Sequence, residues 1–389
     1  MFLIDKPFVS AFLIESIKKN DFPIVATKAA KALVSDDTLN WIAEEKAISM
    51  IKNNPSLRVY SNSENALGWI EKNLGETDLC YQVKLLKDKV AFRKMIKDIY
   101  PDFYYKEIAL DEIHQLSAQD LNFPFVIKPS IGFFSIGVHI VRNEEDWINT
   151  KNELSIEKLQ SDFPSSVLNI SNFIIEDYIV GEEYAIDYYY DNEGNVVILN
   201  VLHHLFSSDT DTSDRVYYTS KKIMEAHKLE LKSFLQKVGE KLNLRNFPAH
   251  AEVRIDKNGK IIPIEINPLR FGGWCTTGDL LGLSLGFNSY EYYQNNSQPN
   301  LDNIFKNKTD KLYSIVVLDN NSGIAASNIS NFNYSKLEKD FESPVLIRAL
   351  DIKKYGVFGF VFAETSMDNQ IELNDILSSD LKKYIELVE

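Results

Sequence analysis

Short apolar runs and amphipathic stretches alternate over roughly the first 85 residues. MFLID reads as a strand, Val9 to Lys19 as a helix, PIVAT as a second strand and NALGWIEKNL as a further helix. That alternation predicts an open α/β layer over a parallel sheet. DKVAFRKMIKDIY predicts a helix capped by Asp88, with Pro101 beyond its end. FPFVIKPS has the continuous apolar character of a buried strand and leads into the loop SIGFFSIGV. FIIEDYIVGEEYAIDYYY and NVVILNVLHHLF predict two strands around the polar turn DNEGN. A polar loop, SSDTDTSDR, then precedes a helix from Lys221 to Leu242. Helix-like GLSLGFNSYEYYQNN leads through the connector QPNLDNIFKNKTD to a strand-rich end (YSIVVLD, PVLIRALDI, VFGFVFAE) that closes in a short helix. There is no internal repeat.

The most informative pattern lies between these segments. AHAEVRIDKNGKIIPIEINPLRFGG predicts two antiparallel strands joined at Asn258-Gly259, a strong two-residue hairpin signal. Glu252 then faces Glu265, His250 faces Asn267 and Arg254 faces Pro263. Strand side chains alternate, so His250, Glu252, Arg254, Glu265 and Asn267 share one face. Ala251, Val253, Ile255, Ile262, Ile264 and Ile266 share the other. Two facing carboxylates repel, and a cation between them removes the conflict. Two Glu and one Asn offer oxygen alone, which suits Mg²⁺ or Mn²⁺. A one-residue bulge would break this register, and a solvated hairpin face is the plain alternative.

With 389 residues, the chain has the length of two or three domains; the pattern divides it at about residues 85 and 300. Lys and Arg number 42 against 56 Asp and Glu, a formal charge of −14. That balance argues against a general nucleic-acid binder. Cys80 and Cys275 are the two cysteines, too few for a disulfide framework or a zinc site. The first twenty residues carry acids inside their apolar stretch and read as strand and helix, not as a leader. No apolar run reaches bilayer length, so no membrane partner is expected and a reducing cytoplasm is the expected setting.

Other candidates are weak singly. Lys128 ends an apolar strand beside a glycine-containing loop, a good place to meet phosphate; a surface lysine with its stem along the sheet fits equally. The loop Ser130–Gly137 has glycines only at 132 and 137. Glu176 and Glu183 flank a segment able to offer backbone groups to a flat base, but also read as an ordinary amphipathic strand pair. Arg215 stands out in its polar loop. Cys275 reads as a small buried residue.

Together these pieces resemble the ATP-grasp superfamily. The ordered set is Asp88-Lys89, Lys128-Pro129, Ser135 to Val138, Glu176 to Glu183, H-x-E-x-R at His250 to Arg254, and E-x-N-P at Glu265 to Pro268. It spans about residues 86 to 285. The resemblance implies an α/β (α+β grasp) fold: an N-terminal open α/β domain over 1–85, a grasp of two subdomains clasping ATP over 86–300, and a strand-rich C-terminal subdomain over 301–389. It implies that Lys89 and Lys128 contact phosphates and that Ser130 to Ser135 form a lid. Glu176, Tyr178 and Ile179 would meet adenine, and Glu183 the ribose. Glu252, Glu265 and Asn267 would bind Mg²⁺. Arg254 and Arg270 would hold an acyl phosphate and a substrate carboxylate, with Arg215 and His250 as further substrate contacts. H-x-E-x-R is similar to the branch of amino-acid ligases. Phe133 and Phe134 depart from the small residues usual in the lid, and Leu269 separates Arg270 from E-x-N-P. Phe133, Phe134, Phe271 and Trp274 would supply an apolar wall.

The implied function is ATP- and Mg²⁺-dependent joining of a small carboxylic acid to an amine through an acyl phosphate, with ADP and phosphate released. Its partners are then a small-molecule acid and amine, and a homodimer is one candidate assembly. A carboxylase or acylase of a nucleotide or cofactor precursor is the alternative within this chemistry. A non-catalytic nucleotide-binding regulatory protein is the alternative outside it; the complete set Glu252, Glu265 and Asn267 argues against that reading.

Overall fold

The computed structural model describes residues 1–132, 137–154, 169–208, 211–308 and 311–388. Four strands, β1 (Phe2–Leu3), β2 (Ile24–Val25), β3 (Trp41–Ile42) and β4 (Tyr60–Ser61), form a parallel sheet in the order β3-β2-β1-β4. The expected helix after β1 runs Ala11–Lys19. Ser10 caps it by accepting from the Leu13 N–H, and Leu13 and Ile17, four apart, face the core together. NALGWIEKNL supplies the helix Leu67–Leu74.

A second, antiparallel sheet contains β5 (Tyr105–Ala109), β6 (Phe125–Ile131), β7 (His139–Val141) and β8 (Asn169–Asp177), in the order β5-β8-β6-β7. Phe125, Trp147 and Phe173 lie in its core. The other strands are β9 (Glu182–Tyr190), β10 (Val196–Leu205), β11 (Val216–Thr219), β12 (Phe247–Ile255), β13 (Ile261–Pro268), β14 (Lys311–Asp319), β15 (Ile329–Phe332), β16 (Pro344–Ala349), β17 (Val357–Ser366) and β18 (Ile385–Leu387). Eight of them build one antiparallel sheet in the order β13-β12-β9-β10-β11-β14-β17-β16, while β15 and β18 pair separately. The strand-rich end of the chain thus extends the central sheet through the β11–β14 pairing. One apolar core joins the N-terminal sheet to the central one; Tyr60 of β4 rests on Phe271 with ring centroids 5.1 Å apart. Among the described residues no helix is long and apolar enough to cross a membrane.

Four local readings change. The stretch expected as one strand before DNEGN is two, β8 and β9, in different sheets. The chain crosses between them at 178–181, where Gly181 has φ +139 and any Cβ would strike the Ile255 carbonyl. The helix expected from Lys221 to Leu242 breaks at His227 into Lys221–Ala226 and Lys228–Leu242. The last helix, Ile371–Ser378, is followed by β18.

The hairpin keeps its expected pairing at His250–Asn267 and Glu252–Glu265, then slips by one toward the turn. Val253 faces Pro263 and Arg254 faces Ile262, so Ile264 is the extra residue of a bulge. The cause is Asp256. Its Oδ1 accepts from the N–H of Asn258 (2.8 Å) and of Lys260 (2.9 Å). This makes the loop one residue longer, with Gly259 at φ +79. Ile264 consequently leaves the apolar face and lines a cleft, while Pro263 packs inward.

Candidate active site

The cleft, about 160 Å³ in volume, opens between the second sheet and the central sheet. Lys89 and Lys128 enter it from opposite sides. Lys89 begins the helix Lys89–Met95, which Asp88 caps through the N–H groups of Val90 and Ala91. Its Nζ stands 2.7 Å from Glu265 Oε2. Lys128, on β6, stands 2.6 Å from Glu176 Oε1, and Glu176 Oε2 accepts from Arg93 Nε at 2.8 Å. Burial opposes the Glu176 charge, but Arg93 and Lys128 outweigh it and hold the carboxyl at about 2. Glu176, expected against adenine, lines the cleft with both oxygens paired to cations, and its pair with Lys128 fixes where that side chain points. Tyr178 and Ile179 line the cleft beside it.

On the hairpin face, Asn267 Nδ2 donates to Glu265 Oε1 at 2.8 Å. Burial and the facing Glu265 push the Glu252 carboxyl up. Burial opposes the Glu265 charge too, yet Lys89 and Lys87 hold that carboxyl far below its usual range. Among the described residues no three His, Cys, Asp or Glu side chains group as metal ligands. Two carboxylates and an amide oxygen form a partial, all-oxygen set. That fits Mg²⁺ or Mn²⁺, which commonly keep water and phosphate oxygens as their other ligands.

His250 shares this face but is buried and is not among the residues lining the cleft. Its Nδ1 pairs with Asp187 Oδ1 at 2.7 Å, and Nε2 is 3.6 Å from Glu252 Oε1. Burial opposes its charge, but the hydrogen bonds to Asp187 and Glu252 prevail and raise it to about 9. Held between Asp187 and Glu252, it supports the position of Glu252.

Glu183, expected to have oxygens free for ribose, has Oε1 at 2.9 Å from His204 Nδ1 and Oε2 at 3.0 Å from Arg254 Nε. Arg254 Nη1 also donates to the Ile179 carbonyl at 2.7 Å, and the guanidinium covers Tyr178 and Phe206. Two residues past Glu252 along β12, roughly 7 Å, Arg254 lines the cleft and secures the 178–179 segment.

Arg270 is positioned by an unusual backbone. Leu269 adopts φ +61, its N–H donating to the Pro248 carbonyl (2.8 Å) and its carbonyl accepting from the Ser61 N–H (2.7 Å). The inserted residue thus turns a corner that aims Arg270 at Glu64, 2.5 Å away. Arg215 does not reach the cleft. It is buried, donates to the Ser379 carbonyl at 2.8 Å and pairs with Asp319, so its role is to tie β11 to the C-terminal segment. Ser130 is buried on β6. Phe271 is buried in the core and supplies no cleft wall; Trp274 packs near Phe8 and Phe360. Burial pushes the Cys275 thiol up to about 12, consistent with a small buried residue. Ser135, Phe133, Phe134 and Asp209 lie outside the described residues.

Sequence reasoning missed Lys87, Arg93 and Asp187; His204 could be read as a substrate contact or as a histidine packed in a cleft wall, and it lines the cleft. Lys87 and Arg93 sit two before and four after Lys89, so a closer reading of the helix junction would have brought them in. Asp187 and His204 share the cleft-side alternation of Glu183.

Residues 121–278 match a family described as "ATP-grasp domain". No curated protein sequence matches the chain. Among solved structures, an L-amino acid ligase from Bacillus licheniformis overlays with a TM-score of 0.68 at 15% identity, covering 100% of this chain and 98% of that one. The N5-carboxyaminoimidazole ribonucleotide synthetase of Thermotoga maritima gives 0.61 at 13% identity, covering 100% and 99%. The biotin carboxylase of Campylobacter jejuni, solved as its beta-gamma-ATP complex, gives 0.61 at 12% identity, covering 100% and 91%. At these identities the overlays establish the fold.

Proposed function

We propose, starting from the ATP-grasp domain that this chain carries, that it is a ligase joining a small carboxylic acid, in the first instance an amino acid, to an amine. Glu252, Glu265 and Asn267, gathered on one hairpin face beside Lys89 and within reach of the Arg270 strap, are the observation that carries this reading. The full-length overlay with an L-amino acid ligase supports it.

In this reading Lys89 and Lys128 neutralise the ATP phosphates, and the buried pair with Glu176 fixes where Lys128 points. Ile264 and the 178–179 segment meet the adenine. Arg270 holds the acid's carboxylate in line with the γ-phosphate. The carboxylate oxygen attacks phosphorus, giving an acyl phosphate and ADP; the amine nitrogen then attacks the acyl carbon, forming the amide and expelling phosphate. Bound at Glu252, Glu265 and Asn267, Mg²⁺ would supply charge neutralisation. What the protein adds is positioning and preorganised charge, the main levers in phosphoryl transfer.

The test is ADP release with pairs of amino acids, with hydroxylamine as an acyl-phosphate trap. Hydroxamate and ADP are expected. AMP and pyrophosphate would place the protein in the adenylating class, and turnover with bicarbonate alone would favour the carboxylase alternative.

A further inference from the structure

Glu64 reaches the site from the 3₁₀ turn Glu64–Ala66 of the N-terminal layer. Its Oε1 stands 2.5 Å from Arg270 Nη2, and its Oε2 accepts from Lys87 Nζ. All three side chains are nearly closed to water, with 11% exposure for Glu64 and 5% for Lys87. Each cation also has protein acceptors of its own. Arg270 Nη1 donates to the Phe271 carbonyl at 2.9 Å. Lys87 Nζ donates to the Gly132 carbonyl at 2.9 Å and reaches Asn267 Oδ1 at 3.5 Å. The two cations therefore stay aimed at one point without Glu64, and that point adjoins Asn267, one of the three candidate Mg²⁺ ligands.

Lys89 and Lys128 pair with Glu265 and Glu176 and form a separate grip. Burial opposes the charge on Glu64, but Lys87 and Arg270 keep its carboxyl low, so an ionised carboxylate already fills the space between them.

We propose that the space between Lys87 and Arg270 is the seat of the acid substrate's reacting carboxylate, and that Glu64 is a resident carboxylate which the acid displaces. This rests on the ligase reading above. A resident carboxylate spares the empty site two unpaired buried cations. It also sets a standard of selectivity, because a neutral ligand cannot replace the interactions it would remove.

The test uses full-length protein without ATP. Glu64→Ala opens a gap of carboxylate size, and acetate is the probe. Thermal unfolding is compared in sodium acetate and in sodium chloride at matched ionic strength. Acetate should raise the midpoint of Glu64→Ala by about 2 °C or more beyond chloride, with no such difference in wild type or in Glu64→Ala/Lys87→Ala. A folded Glu64→Ala that responds alike to both salts overturns the proposal. So does an equal acetate effect in wild type or in the double variant. Should Glu64→Ala fail to fold, refolding in the two salts decides: recovery in acetate alone supports the seat, and failure in both overturns it. The readout needs no turnover, so an absence of ligase activity and an absence of the seat are distinguishable.

Discussion

Glu252 and Glu265 face one another across β12 and β13, and Lys89 is bound to the second of them alone. The pair is consequently asymmetric, with Glu265 held ionised and Glu252 pushed toward protonation. Glu265→Gln removes the ionised member and leaves Lys89 without its partner. ADP release should fall by about 100-fold or more. Release at the wild-type rate, measured with saturating Mg²⁺, would exclude Glu265 from the metal set.

Lys128 should matter to ATP more than to the acid. Its Nζ is held by Glu176 where it lines the cleft. A charge-assisted contact is worth about 1.5–3 kcal/mol, so Lys128→Ala should weaken ATP binding by about 10- to 150-fold. Titration calorimetry with a non-hydrolysable ATP analogue reads this directly, and a dissociation constant within about twofold of wild type would count against the role.

His250 gives a pH signature. Its pKa rises from 6.5 to about 9 on folding, so the folded protein binds the proton more tightly. The resulting stability is fully present below pH 6.5 and is lost as pH rises through about 9. A shift of this size corresponds to roughly 2–4 kcal/mol. In metal-free urea unfolding, the stability gap between wild type and His250→Gln should be wide at the acid end of that window and narrow at the alkaline end. A gap independent of pH would mean that His250 is not a buried cation.

Arg270→Lys keeps a positive charge and loses the fork that now meets both Glu64 and the Phe271 carbonyl. The KM for the acid should rise more than the KM for ATP. Equal acid KM values in the two proteins would remove Arg270 from carboxylate binding.

Arg215 should behave differently. Arg215→Leu removes a buried guanidinium that ties β11 to Asp319 and the Ser379 carbonyl, so the melting temperature should fall by several degrees. The acid KM should stay at its wild-type value; a rise in that constant in a folded variant would return Arg215 to the substrate site.

Alternation and the Asn-Gly turn were enough to bring Glu252 opposite Glu265, because each strand buries one face and a slip there would expose it. The slip near the turn was hidden, since the hydrogen bonds that set the loop come from the Asp256 side chain. Motif order also located Lys89 and Lys128. It could not show that Glu176 and Glu183 were already taken, because their partners Arg93 and His204 are 83 and 21 residues distant in the chain. The separation of the arginines, with Arg254 beside the 178–179 segment and Arg270 beside Glu64, depends on Leu269 adopting φ +61. No local propensity favours a leucine there.

The strap from Leu269 to Cys275 has three such left-handed residues, Leu269, Trp274 and Cys275, and it is held from three directions. Ser61 of the N-terminal sheet binds Leu269, Asp187 of β9 binds the Gly272 N–H, and Arg348 of β16 binds the Trp274 carbonyl. The last of these is translated 74 residues after the carbonyl it holds. A nascent chain that already includes every cleft-lining residue therefore still lacks one support of the strap that carries Arg270.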